Sequence, residues 1–177
     1  MNIKKIRNYQ IISTIFTFVL GALLHFTYDL SGQNKAVALF SAVNESTWEH
    51  LKLLFFPMLI TTIIGNIYFN KKNPNFLCSK TIGILVATCF TVIFFYTYRG
   101  VLGINIDIVN ILLFFVATVV GEVVAYLLII NRFKCNNTIS IIILIILFTC
   151  FIIFTFNTPK IGLFKDPVTG EYGINFK

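Results

Sequence analysis

The sequence predicts an all-α integral membrane bundle of five transmembrane helices, and three observations carry that expectation. Apolar residues make up 57% of the chain and charged residues only 12%. An ordinary soluble domain has about a quarter of its residues charged, so the surplus apolar surface here has to face lipid. Long apolar runs recur at 9–27, 49–69, 81–98, 106–130 and 139–156. At 1.5 Å per residue each is long enough for a hydrocarbon core of about 30 Å. The runs do not alternate polar and apolar residues as barrel strands would. In lipid only helices or closed barrels satisfy their own backbone hydrogen bonds. The 177 residues then form one transmembrane domain ending in a tail at 157–177.

Each run has its own signature. The first follows Lys4, Lys5 and Arg7. A basic head before an apolar stretch also describes a signal peptide, but no small-x-small cleavage site follows, so the run is expected to be retained. The second contains Pro57, which predicts a kink. The third is uninterrupted, and the fourth carries Glu122 near its middle, beside Gly121. The fifth leads into a turn-rich tail with Asn157-Thr158-Pro159, Asp166-Pro167 and Thr169-Gly170, pairs that set local turns. The connection 30–43 is too short and mixed to span, and its 36–40 stretch suits the membrane interface. No internal repeat is visible, and an odd number of spans argues against a simple inverted duplication.

The formal charge of +7 does not point to nucleic acid, because the basic residues sit in short clusters between apolar runs. They read as topology signals and contacts with anionic headgroups. With the N-terminus inside, the cytoplasmic segments hold Lys4, Lys5, Arg7, Lys71, Lys72, Lys80, Arg132 and Lys134. The outside holds Lys35, Arg99, Lys160, Lys165 and Lys177. The expectation is therefore a cell-membrane protein, multi-pass, N-terminus cytoplasmic and C-terminus extracytoplasmic. The lipid bilayer is its expected partner, with no nucleic acid, and the sequence leaves protein partners and cofactors open. Cys89 and Cys150 fall in spans, while Cys78 and Cys135 fall in loops assigned to the reducing cytoplasm. No structural disulfide is expected there, and no zinc-knuckle spacing is present.

Polar residues gather at the outer helix ends. His25 and Asp29 are four apart on one face of the first span. At the start of the second, Asn44, Glu45, Trp48, Glu49, His50 and Lys52 crowd within nine positions. Part of this is structural: Ser46-x-x-Glu49 has capping-box spacing, Glu suits a helix N-terminus, Trp48 suits the interface, and Lys52 can snorkel. Arg99 and Asp107 lie in the same layer. Ionisable residues at membrane depth usually face a bundle interior or a wet cavity. The candidate catalytic residues are His25, Asp29, Glu45, Glu49 and His50, and the candidate binding residues are Asn44, Trp48, Lys52, Arg99 and Asp107. Two histidines and several carboxylates are adequate for zinc. No His-Glu-x-x-His motif occurs, however, and His25 and His50 would have to meet across helices, so no metal ligand set is assigned. Serines near the layer lack a nucleophile-elbow pattern. Glu122 stands apart, deep in the fourth span, as a candidate proton relay or a packing hydrogen bond to Tyr126 or Asn66.

The segments His25-Phe-x-Tyr28-Asp29-x-Ser31-Gly32 and Val43-Asn-Glu-Ser-x-Trp48-Glu-His50-Leu-Lys52-Leu, followed by Phe-Phe-Pro57, resemble a family of bacterial integral membrane proteins classified only as a domain of unknown function. The resemblance covers nearly all of the chain and implies no activity. The run from Asn44 to Leu51 also resembles the opening of the first span in seven-helix adiponectin/progestin-type receptors and ceramidase-like proteins. Those bind zinc through histidines in later helices, whereas this chain has no histidine after His50 and fewer spans. Three functions follow as expectations: a small membrane enzyme acting on a lipid or envelope substrate, a proton-coupled transporter using Glu122, or a non-catalytic accessory or scaffold subunit.

Overall fold

In a computed structural model, which describes residues 2–174, the chain folds into α1 (Ile3–Leu30), α2 (Thr47–Phe69), α3 (Phe76–Leu102), α4 (Asp107–Ile130) and α5 (Asn137–Phe156). A short 3₁₀ turn, Val37–Leu39, joins α1 to α2, and another, Gly162–Phe164, lies in the tail. The described residues form no strand, only an isolated bridge between Lys165 and Tyr172. All five helices are long and apolar enough to cross a membrane. Lys177, counted above with the tail, lies outside the described residues.

Helices α1 to α4 form a ring in which α1 packs on α2, α2 on α3, α3 on α4 and α4 on α1. Helix α5 lies outside it, against α3 and α2. The sequence explains why α5 is peripheral. It is almost uniformly apolar, and Ile139, Ile142, Ile145, Ile146 and Ile153 point outward, where lipid can cover them. The ring helices instead turn small and polar residues inward. Gln10, Ser13, Thr17 and Gly21 recur every three or four residues along α1 and are all buried. Helices α3 and α4 approach closely at two glycines. A Cβ on Gly83 would lie 2.5 Å from the Gly121 carbonyl oxygen, and one on Gly121 would lie 2.6 Å from that of Gly83. Small residues at such a crossing let backbones meet, as membrane helix pairs require.

Pro57 lies inside α2, which runs unbroken from Thr47 to Phe69. Proline has no N–H, so the carbonyl of residue i−4, here Leu53, loses its helical donor. Gly21 of α1 packs against that same oxygen, and a Cβ there would approach it to 2.6 Å. The proline and the glycine thus form one contact between α1 and α2.

Three sequence expectations are corrected. Lys80 is not a loop cation. Helix α3 begins at Phe76, so Lys80 falls inside it and is fully buried. Glu122 does not pair with Tyr126 or Asn66. Its carboxylate accepts from Lys80 Nζ at 2.6 Å to both oxygens, and Ser13 Oγ lies 2.7 Å from Oε1. Lys80 also donates to Ser13 and to Gln10 Oε1, and Ser13 Oγ lies 2.8 Å from Thr61 Oγ1. One polar knot therefore ties α1, α2, α3 and α4 together, and a pairing 42 residues apart leaves no local signal. Finally, Cys78 and Cys135 form a disulfide, with Cα atoms 6.2 Å apart. Tight packing of α3 on α4 brings the first turn of α3 beside the α4–α5 connection.

An unpaired charge in this apolar interior costs far more than a missing pair. Glu122→Leu should therefore lower resistance to unfolding in detergent by about 3–5 kcal/mol. The double variant Lys80→Met/Glu122→Leu should recover most of that loss. Equal stability of Glu122→Leu and the parent protein, or a double variant worse than either single one, would contradict this account of the knot.

Candidate functional site

The Gly21–Leu53 contact also explains how the two histidines meet. Helices α1 and α2 run antiparallel. One turn beyond Gly21 on α1 is His25, and one turn before Leu53 on α2 is His50. Both steps lead in the same direction in space, so a contact fixed by Pro57 and Gly21 sets the two rings opposite each other. Their Nε2 atoms are 3.2 Å apart and the ring centroids 5.1 Å apart. Sequence alone could not show this meeting, because the spacing of 25 residues carries no periodicity.

Glu45 completes the group from the loop before α2. Its Oε1 lies 3.6 Å from His25 Nε2 and its Oε2 lies 3.4 Å from His50 Nε2. The loop is held by the tail, since the Glu45 backbone N–H donates to Asp166 Oδ2 at 3.3 Å. Asp166 is itself buried and accepts from Val168 and Thr169 N–H groups. The imidazole of His25 holds the Glu45 carboxyl below the usual carboxylate range, with His50 adding to the effect and partial burial opposing it. His50 Nδ1 lies 3.0 Å from the Ser46 carbonyl oxygen. A carbonyl only accepts, so Nδ1 carries the proton and a neutral His50 presents a bare lone pair at Nε2.

The three groups stand at the mouth of a cleft of about 490 Å³ between α1, α2, α3 and α4. Its inner walls are apolar, formed by Phe18, Leu53, Leu54, Leu113 and Phe114. The opposite rim carries Asp107, Asn105 and Asn110, the two asparagines joined to each other and to Tyr98. Pro167 and Val168 of the tail close one side. This volume falls in the range of about 300–1,000 Å³ typical of ligand pockets. A headgroup-sized polar patch over an apolar slot suits an amphipathic molecule.

The remaining candidates are placed elsewhere. Asp29 is exposed near the end of α1. Glu49 and Lys52 form a separate buried pair at 2.5 Å. Lys52 also donates to the Ala38 carbonyl and to Thr155 Oγ1, and Glu49 accepts from the Val43 N–H. These contacts join α2, α5 and the α1–α2 connection. The capping box is half formed: Ser46 Oγ accepts from the Glu49 N–H, while the Glu49 carboxylate goes to Val43 and Lys52. Trp48 packs among Phe151, Phe154 and Phe164. Asn44 donates to the Gly173 carbonyl, which fastens the tail. Arg99 lies 5.2 Å from the centroid of the Phe95 ring, and Phe95 lines the cleft. Of the binding candidates only Asp107 lines the cleft directly. The sequence reading missed the tail residues Asp166, Pro167 and Val168. The Asp-Pro turn was visible, but its docking onto Glu45 was not.

Fold and site together define a helical bundle built for a bilayer environment, with a polar cluster at one end of an apolar cleft. The chain belongs to a family described as a family of unknown function (DUF6512), whose match spans residues 1–174. No curated protein and no solved structure matches it.

Proposed function

We propose that this chain is a multi-pass cell-membrane enzyme acting on a lipid-class or envelope substrate. The acyl portion of the substrate would occupy the cleft, and its polar end would meet His25, His50 and Glu45. The observation that carries this reading is the convergence of those three side chains on the mouth of the cleft. His50, with its Nε2 unprotonated, is suited to accept a proton, and His25 against Glu45 is suited to donate one. Positioned proton transfer of this kind contributes about 10²–10⁴-fold to a rate. A scaffold subunit would need no such cleft.

One observation favours the transporter reading. Ser13 and Thr17 form a buried polar run on α1 that leads from Glu122 toward the cleft. Lys80, however, already neutralises Glu122, and Phe114 and Leu53 close around Gly21 above the run.

The proposed orientation is N-terminus cytoplasmic, with the cleft opening on the extracytoplasmic face. With Lys80 buried, Lys4, Lys5, Arg7, Lys71, Lys72, Arg132 and Lys134 remain at the N-terminal end. Among the described residues, Lys35, Arg99, Lys160 and Lys165 lie at the cleft end. The positive-inside rule favours this sense. The disulfide at the basic end argues the other way, because cytosolic thiols stay reduced. A membrane-impermeant maleimide should label Glu171→Cys, which is exposed in the tail, in intact cells. Labelling only after permeabilisation would reverse the assignment.

The activity is tested with the full chain reconstituted in nanodiscs of bacterial polar lipids, following lipid conversion by mass spectrometry. Wild-type protein should convert one lipid class. His50→Ala and His25→Ala should reduce the rate by about 10²–10⁴-fold, whereas Lys72→Gln, at the opposite end, should not. Conversion unchanged in both histidine variants would sink the reading.

A further inference from the structure

We propose that His25, His50 and Glu45 form a binding site for a zinc-class divalent cation, with one coordination position open to the cleft. The inference rests on the same three residues as the proposed enzyme centre but assigns them a different task. Their lone pairs hold the ion, and the group that acts on substrate becomes water bound to it.

Each residue offers one ligand atom, and these atoms lie within 4.8 Å of one another. The closest separations are 3.2 Å between the two Nε2 atoms and 3.4 and 3.6 Å from nitrogen to carboxylate oxygen. Around a tetrahedral ion with bonds of 2.0–2.1 Å, neighbouring ligand atoms lie about 3.3–3.4 Å apart. The observed distances bracket that value. A small rotation of the Glu45 side chain, which is half exposed, brings either oxygen or both onto the ion.

The Ser46 carbonyl takes the His50 Nδ1 proton, leaving Nε2 as a lone pair in the neutral ring. Both Glu45 oxygens are acceptors. With His50 neutral, only a proton on His25 Nε2 could serve these acceptors, so the centre holds more lone pairs than donors. A cation satisfies all of them at once. The Ser46 contact is also the arrangement by which metal-binding histidines are usually fixed, the far nitrogen donating to a backbone carbonyl.

Two imidazoles and one carboxylate suit zinc, and three protein ligands with a free position mark a catalytic site rather than a closed structural one. The free position faces the apolar cleft, where a zinc-bound water with its pKa lowered to about 7 would meet a substrate headgroup. The Cys78–Cys135 pair lies at the other end of the bundle and takes no part.

The test uses tag-free full-length protein in detergent, stripped with a chelator and titrated with zinc chloride. One zinc per chain should bind. His25→Ala, His50→Ala and Glu45→Gln should each weaken binding by more than the about 10–100-fold that loss of an outer-shell partner costs, while Glu171→Gln should not. Because a variant can fail through misfolding, cobalt(II) is also added to the unmodified chain, where intense visible absorption of a four-coordinate ion is expected. Unchanged zinc affinity in the three variants, or the weak spectrum of six-coordinate cobalt, overturns the proposal. Lipid conversion that depends on the histidines in protein that binds no zinc overturns the metal site and leaves acid–base chemistry standing. Stoichiometric zinc without lipid conversion supports the site and overturns the enzyme reading.

Discussion

The Lys80–Glu122 pair is the constraint on which the rest of the bundle depends. Two opposite charges in a low-dielectric interior must meet, because either alone would be strongly unfavourable there. Their meeting fixes α3 against α4, and the Gly83–Gly121 crossing, three residues along α3 and one along α4, lets the backbones close to that distance. Ser13 and Thr61 join the same knot, so α1 and α2 are registered to it as well. About 18 Å further along α1, at 1.5 Å per residue, that register delivers His25 to the cleft mouth.

A second contact transmits the register to the candidate site. Pro57 leaves the Leu53 carbonyl without its helical donor, Gly21 allows α1 to lie against that oxygen, and one turn beyond the contact on each helix stand His25 and His50. At the same end, the Glu49–Lys52 pair anchors α2 to α5 through Thr155, and the tail returns to hold the Glu45 loop through Asp166 and Asn44. Two buried ion pairs and a strapped loop thus frame a cluster that is itself half exposed. This division sets an accessible group on rigid supports.

The fold was legible because lipid leaves a strong mark on sequence. Long apolar runs without alternation determine helices, and the edges erred mainly where a polar residue hid inside a helix, as at Lys80. Gly121 stood out beside Glu122, although its partner in the close crossing, Gly83, did not. The candidate site was legible as a layer but not as a constellation. His25, Glu45 and His50 could be named, and the three-residue spacing of Glu49 and Lys52 allows their pairing along α2, yet nothing local showed that Glu45 and the two histidines converge. That convergence is made by contacts between separate segments, and so are the Lys80–Glu122 pair and the Cys78–Cys135 disulfide. In each case the partners lie in segments whose spacing carries no periodic signal.

The two histidines of the chain share one centre. Nitrogen-15 NMR of selectively labelled histidine in tag-free protein tests it directly, since every signal belongs to one ring or the other. His50 should show an Nδ1–H tautomer, and His25→Ala should displace the His50 Nε2 resonance, with the reciprocal effect on His25 in His50→Ala. Two rings whose resonances are each indifferent to removal of the other would contradict it.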